Sequence, residues 1–503
     1  MQRIQEVLFG IRESKYKKKS SHQILKNNST SEAPDTFNAL EFLNELEEYK
    51  MSEVGPANSL VSHADRNLKT DSVNKSSKGI LQDPEITSQH VPNQLSYKFI
   101  FDANSRVYGG RFTQNGKLYY CSSQDIIGIY DAYDPYDMKK IKTVKALDVN
   151  WTITSMDTTE DEERLVYSSA TPYLHILDLQ TLCKFHAKID LSDSQEEAEM
   201  SYLNYAGVFN CKFSGDGSEI VCVTNTAKII VYDLNKEEKV CNIPNTHLDD
   251  INTVCFANRN NSNILFTGSD DYIIKAWDRR IIESNKPIGC FIGHREGVTS
   301  IDSRGDERYV ASNGKDQQLK LWDIRKMNDI SDLKKATGLG AMENFDYRWM
   351  DYTYKPLDRH KLDNSVMTFR GHTILQTLIR CYFSPQENTG QRYIYSGSAD
   401  GCVYIFDIMT GENKTYISNE TANCIRDVSW HPKVPVIAAT SFSGDISVFT
   451  EDDSKPLPKR NCRRKCREIS GYYGTSREFS SEEEEFDEQN EVLSELYSES
   501  LYS

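Results

Sequence analysis

Two arginines set the chemistry to look for. Arg280 closes the run Trp277-Asp278-Arg279-Arg280 and Arg325 closes Trp322-Asp323-Ile324-Arg325, so each stands two residues beyond an aspartate and three beyond a tryptophan. A guanidinium is a planar, permanently charged fork that pairs with carboxylates and carbonyls while its stem lies on apolar surface. That is the chemistry of protein contact, not of bond making. The residue sets that make bonds are missing from the sequence: it shows no nucleophile elbow, no phosphate loop and no clustered carboxylate and histidine set. The twelve cysteines, Cys121, Cys211, Cys222, Cys255, Cys381 and Cys402 among them, lack metal-ligand spacing and read as small, reduced core residues. Cys462 and Cys466 read either as ordinary reduced thiols like the rest or, among the six basic side chains of KRNCRRKCRE that could lower a thiol pKa, as sites of oxidation; a zinc site there would need further ligands, and none is nearby in the sequence. The expectation is a non-catalytic chain with no cofactor and no metal.

The elements that position the two arginines repeat along the chain. GSDDYIIKAWDRR at 268–280, SNGKDQQLKLWDIR at 312–325, SGSADGCVYIFD at 396–407 and KIIVYDL at 228–234 share small residues, a turn, alternating apolar positions, an aromatic residue and an aspartate. This is the signature of one blade of a WD-repeat propeller. Ends of this kind fall at Asp131, Asp178, Asp233, Asp278, Asp323, Asp407 and Thr450, which makes seven blades. The spacing follows the ~40–45 residues of such a blade, except between Asp323 and Asp407, where polar, irregular sequence at 326–369 reads as an insertion. No outer strand follows Thr450, so the strand-like run Tyr97-Lys98-Phe99-Ile100-Phe101 is expected to pair with 446–450 and close the ring, removing its exposed edges. The fold class is therefore all-β: a seven-bladed WD-repeat propeller over 95–451, with a flexible, partly helical region before it and a disordered tail after it.

Within the blades, some polar residues read as structural. His294, Ser312, Asp316 and Trp322 stand where a buried hydrogen-bond ladder would tie the loops of blade five to its strands. His372 and Asp400 repeat the pattern in blade six with Phe406 in place of tryptophan. Thr226 and Ser443 occupy the turn-aspartate position in blades three and seven, and blade two is also degenerate.

Composition bounds the partners. A formal charge of −16 argues against direct nucleic-acid binding, and no run of about 18 apolar residues predicts a membrane span. Residues 1–94 are rich in Ser, Asn, Lys and Glu and read as mostly disordered, with two candidate helices. One, at 2–12, carries Ile4, Val7, Leu8 and Ile11 on one face; the other, at 36–50, is capped by Asp35 and carries Phe37, Leu40, Leu43 and Leu46. Each would pack on the propeller's side or in a partner's groove. The tail at 452–503 runs from basic (459–467) to acidic (480–488). Its basic run and the KYKKK at 15–19 read either as import signals or as solvated charge, giving an expected location in nucleus and cytoplasm.

Two Trp-Asp-x-Arg boxes in tandem resemble the double box of WD-repeat substrate receptors for cullin-4 RING ubiquitin ligases. GHREGVTSIDSRGDERYVASNGKDQQLKLWDIRK, FDYRW at 345–349, TFRGHTILQTLIRCYFSP at 368–385 and CIRDVSWHP at 424–432 extend the likeness to the WD-repeat protein 23, or cullin-4-associated factor 11, type. The resemblance covers most of 95–450. It implies docking on the ligase's triple-propeller adaptor through Asp278, Arg280, Asp323 and Arg325, and presentation of a bound protein substrate for ubiquitination and proteasomal degradation. Stress-response transcription factors with short acidic segments are the substrate class that the family brings with it. Arg380 and Arg426, at the start of inner strands near the central opening, are the substrate contacts it implies, unless they are held in salt bridges within their blades. Departures in blades two and seven put the substrate preference in doubt. The competing reading is a scaffold in a chromatin or RNA-processing complex.

Overall fold

Apolar residues alternate in each repeat, yet strands such as Leu118–Ser122 and Ile264–Ser269 bury almost every position. Burial on both faces is what a sheet wedged between two others requires. The computed structural model describes residues 91–102, 105–181, 185–193, 207–282, 285–336, 345–350, 352, 359–418 and 423–451. They form seven four-stranded antiparallel sheets, the blades of the expected propeller. The candidate helices at 2–12 and 36–50 and the tail beyond residue 451 lie outside the described residues.

The cores sit between blades, not within them. Val221, Val223, Ile229 and Val231 of blade three pack with Val254, Leu265 and Trp277 of blade four. Phe266, Ala276 and Phe291 of blade four pack in turn with Val310 and Trp322 of blade five. Blade seven joins blade one through Ala438, Ile446 and Val448 against Phe112, Tyr119 and Tyr130.

The ring closes as the sequence reading requires. Strand Gln94–Ile100 is the outer strand of blade seven, and its register runs from Gln94 opposite Thr450 to Ile100 opposite Asp445. Gly444 makes the closing corner, with φ +84° and its carbonyl accepting from Phe101 N and Asp102 N at 3.0 and 3.2 Å. A Cβ there would lie 2.0 Å from the Asp102 carbonyl oxygen, so only glycine fits. Val91, just before the closing strand, is 2% exposed, so ordered structure begins ahead of residue 95.

The insertion needs one correction. Its last three residues, Met367–Phe369, are the outer strand of blade five, paired with Leu319 to Leu321. Composition missed them because the strand is only three residues long. Ahead of it the chain climbs the outside of blade four: Asn328 bridges Cys290, and Asp363 bridges Ile292 in parallel register. The outer edge of Gly289–Ile292 is thereby covered, which removes a pairing edge.

The central channel is filled by charge. Arg380 of blade six reaches across to the Thr154 carbonyl of blade two at 2.7 Å, and Arg259 of blade four reaches Asp157 of blade two at 2.7 Å. Between them Lys212 lies 3.4 Å from Asp157, and the Arg111 guanidinium stacks 4.4 Å from the centre of the Tyr382 ring. Burial pushes the Asp157 carboxyl up, but Arg259, Lys212 and Arg111 together hold it below the usual carboxylate range. All nine cysteines of the described residues are buried thiols.

Candidate functional site

The terminal aspartate of the repeat has a local job before it has any function. At the end of the third strand its Oδ1 accepts the backbone N–H two residues on, bending the chain toward the outer strand. The pairs are Asp131 with Tyr133 at 3.0 Å, Asp178 with Gln180 at 2.9 Å, Asp233 with Asn235 at 2.9 Å and Asp407 with Met409 at 2.8 Å. Asp278 with Arg280 and Asp323 with Arg325 make the same turn, both at 2.9 Å. In these two blades the turn donor is an arginine, so its side chain returns to the aspartate it has just capped.

The return is a bidentate fork. Arg280 Nε and Nη2 donate to Asp278 Oδ1 and Oδ2 at 2.9 and 2.6 Å, and Arg325 repeats the pattern on Asp323 at 3.1 and 2.8 Å. The arginine side chains remain 69% and 57% exposed. They are fixed in place yet open to solvent, which lowers the ordering cost of an interfacial arginine. Hydrogen bonds from Arg280 hold the Asp278 carboxyl below its usual range and raise the guanidinium in turn. At Asp323 burial works against ionisation, but the bonds from Arg325 and the charges of Arg325 and Arg308 outweigh it and lower the carboxyl. Both forks sit in connections between third and outer strands and therefore face the same side of the ring.

Each fork stands on a buried ladder. In blade five His294 Nδ1 meets Asp316 at 3.1 Å, and both His294 Nε2 and Trp322 Nε1 reach Ser312 Oγ, at 2.7 and 2.8 Å. This is the set expected from the sequence. Blade four carries an equally complete set that the sequence reading did not name: His247 with Asp271 at 2.8 Å, and His247 and Trp277 on Thr267 Oγ1 at 2.7 and 2.8 Å. Threonine in the serine position hid it, although Asp271 and Trp277 were the available signal.

Blade six departs from expectation. His372 Nε2 meets Asn313 Oδ1 of blade five at 2.8 Å, and Asp400 instead accepts the Tyr404 hydroxyl at 2.7 Å. Asn313 Nδ2 donates in turn to Ser396 Oγ at 3.0 Å, so the link from His372 to the serine of blade six passes through the neighbouring blade. Phe406, in place of tryptophan, brings no indole N–H to that hydroxyl.

The structure places Arg380 and Arg426 at the channel, as the sequence suggests, but with their guanidinium groups engaged. Arg380 Nη1 lies 3.0 Å from Asp427, with side chains 13% and 0% exposed. Arg426, 6% exposed, donates to the Tyr108 carbonyl and to Thr377 Oγ1. Burial first, then repulsion from Arg380, holds Arg426 down to about 10. These contacts run between blades, not within them.

FDYRW lies on the face opposite the forks. The Tyr347 carbonyl accepts Gln376 N at 3.0 Å, and Lys315 Nζ sits 4.2 Å from the Tyr347 ring centre. Lys315 and Gln376 both belong to connections of that opposite face. Asp346 and Arg348 repeat the fork, with the guanidinium 4.6 Å from the ring centre of Trp349, which is 69% exposed. Among the described residues no group of three or more metal-ligating side chains occurs, and no helix is long and apolar enough to cross a membrane.

Comparison with known proteins agrees with the propeller fold. The WD domain, G-beta repeat, matches residues 238–278, 285–323 and 363–407, the blades that carry the forks and the one after them. The LEC14B protein of Lithospermum erythrorhizon is 40% identical over 387 residues, 75% of this chain and 80% of that protein. The LEC14B homolog of Prunus armeniaca is 39% identical over 379 residues, covering 73% and 77%. The DDB1- and CUL4-associated factor 11 homolog of Caenorhabditis elegans is 40% identical over 252 residues, covering 50% of this chain and 44% of that protein. The chain belongs to the WD-repeat family that holds the LEC14B proteins and the DDB1- and CUL4-associated factor 11 homologues.

Proposed function

We propose that this chain is the substrate-recognition subunit of a cullin-4 RING ubiquitin ligase. The observation that carries the reading is the pair of Asp–Arg forks, exposed on one face of adjacent blades and each rooted in a complete buried ladder. The relatives named for association with DDB1 and CUL4 support it at family level. In this reading Asp278, Arg280, Asp323 and Arg325 dock on the adaptor. The opposite face, bearing the FDYRW segment, holds the protein substrate. The chain performs no chemistry: the complex brings a charged ubiquitin-conjugating enzyme close to the bound substrate, and the gain is one of effective concentration. Arg380 and Arg426 serve as braces of the channel mouth beneath the substrate face.

The test is a quantitative pull-down of the purified full chain with the cullin-4 adaptor, comparing wild type with a folded Arg280→Ala/Arg325→Ala variant. Binding by the wild type and its loss in the variant is the expected result. No binding by either overturns the receptor reading in favour of a scaffold role.

A further inference from the structure

The forks are not alone on their face. Ile281, Ile288 and Ile330 are 53%, 40% and 43% exposed, three of the five exposed isoleucines among the described residues. Backbone contacts place Ile281 and Ile288 beside the Asp278 fork, and Ile330 lies on the stretch of chain that follows Arg325. Ile281 N donates to the Asp278 carbonyl at 3.1 Å, one residue past Arg280, and Ile288 N donates to the Ala276 carbonyl at 2.8 Å on the same strand end. The stretch after Arg325 then runs along Ile288: Met327 lies 3.1 Å from where a Gly289 Cβ would stand, and Asn328 exchanges both backbone hydrogen bonds with Cys290 at 2.8 and 3.1 Å. Ile330 follows two residues later. Their neighbours Ile282 and Cys290 are buried, at 3% and 0%. The local core is thus complete without the three exposed side chains.

We infer that Ile281, Ile288 and Ile330 form with Arg280 and Arg325 one continuous docking surface for the cullin-4 adaptor, an inference that rests on the receptor reading. Two fixed guanidinium forks with exposed aliphatic side chains beside them match the make-up of an interface centre, where desolvated arginines carry much of the energy and apolar neighbours exclude water. Exposed Lys326 and Asp329 supply a polar rim. The adaptor surface that fits is apolar and offers carboxylate or carbonyl oxygens to the two forks. Two arginines alone cover too little area for a stable complex, which calls for about 1,000 Å² or more. The isoleucines extend the footprint from blade four to the start of the insertion.

The experiment compares four full-length proteins for adaptor affinity and thermal melting: wild type, Arg280→Ala/Arg325→Ala, Ile288→Asp/Ile330→Asp, and Trp349→Ala as an opposite-face control. Affinity should fall about tenfold or more in the isoleucine variant with its melting unchanged, and stay at the wild-type level in the control. If the arginine variant loses binding while the isoleucine variant stays within about twofold of wild type, the wider surface is refuted and the receptor reading survives. If wild type itself fails to bind, both fall. Should the aspartate variant not fold, Ile288→Thr/Ile330→Thr keeps the β-branch and decides: a loss of about threefold or more supports the surface, and a smaller one overturns it.

Discussion

Asp427 should be among the costliest residues in the ring to remove. It is fully buried and accepts from Arg380 Nη1 at 3.0 Å, Tyr382 Oη at 2.8 Å, Gly110 N at 3.3 Å and Val428 N at 3.1 Å. Alanine in its place leaves the Arg380 charge in the channel with no counter-ion, and breaking a buried pair in this way costs about 3–5 kcal/mol. The orphaned Tyr382 hydroxyl and Gly110 N–H push the loss toward the upper end, since each stranded donor costs about 1–3 kcal/mol. Arg380→Met is milder, because Asp427 keeps three donors; the expected cost is about 1–3 kcal/mol, comparable to losing a charge-assisted hydrogen bond. The assay is urea unfolding of both variants, read as a fall in midpoint at unchanged slope. The two residues' separate costs and the double variant together give the coupling energy. If Arg380→Met stays within about 0.5 kcal/mol of wild type, as a surface change would, the guanidinium is not a brace. The channel reasoning then fails, and the substrate-contact expectation for Arg380 is the one to pursue.

Three further outcomes can be checked directly. Ser312→Ala strips His294 and Trp322 of one shared partner, and calorimetry should show a loss of about 2–6 kcal/mol, from two stranded buried polar groups, the indole N–H and the imidazole Nε2, at about 1–3 each. His175, His372 and His431 are each held down to about 4, burial being the first cause. The unfolded chain, with histidines near 6.5, binds more protons between the two values. Their contribution is therefore fully present above about pH 6.5 and lost as pH falls toward 4. Melting temperature should drop across that window, and His431→Gln should flatten part of the slope. Gly444→Ala places a methyl group against the Asp102 carbonyl at the closing corner, so hydrogen exchange in Gln94–Ile100 should quicken before the rest of blade seven does.

How much of this was legible beforehand depends on how local each feature is. The blade count and the closing strand were readable because each rests on a repeat or on composition, and the Thr450 end left one strand position to fill. The ladder in blade five was readable for the same reason. The ladder in blade four was missed on a Ser-to-Thr change that leaves the hydroxyl in place, a change of letter without a change of chemistry. Blade six misled because the decisive residue, Asn313, belongs to the neighbouring blade and sits 59 positions from His372. Contacts across the channel were beyond any local signal: Arg380 and Thr154 are 226 positions apart. Arg380 and Arg426 could be placed at the channel from strand position alone, but not what they would find there.

The exposed isoleucines show a different limit. Sequence patterning ends where the third strand ends, and a connecting loop has no periodicity against which an apolar residue looks out of place. Only exposure reveals Ile281, Ile288 and Ile330 as surface. Their position links docking to stability. Among the described residues, the tryptophan ladder is complete in blades four and five, the two blades whose turns end in an exposed arginine fork. An arginine gains most at an interface when its geometry is settled before the partner arrives, because little side-chain freedom then remains to be lost. Here the capping aspartate fixes the guanidinium, the strand end fixes the aspartate, and a buried Trp–Ser/Thr–His–Asp chain fixes the strand. Weakening the blade-five ladder with Ser312→Ala should therefore reduce adaptor affinity as well as stability, even at temperatures where the variant is fully folded. Loss of stability with unchanged affinity would show that the fork is held by its aspartate alone.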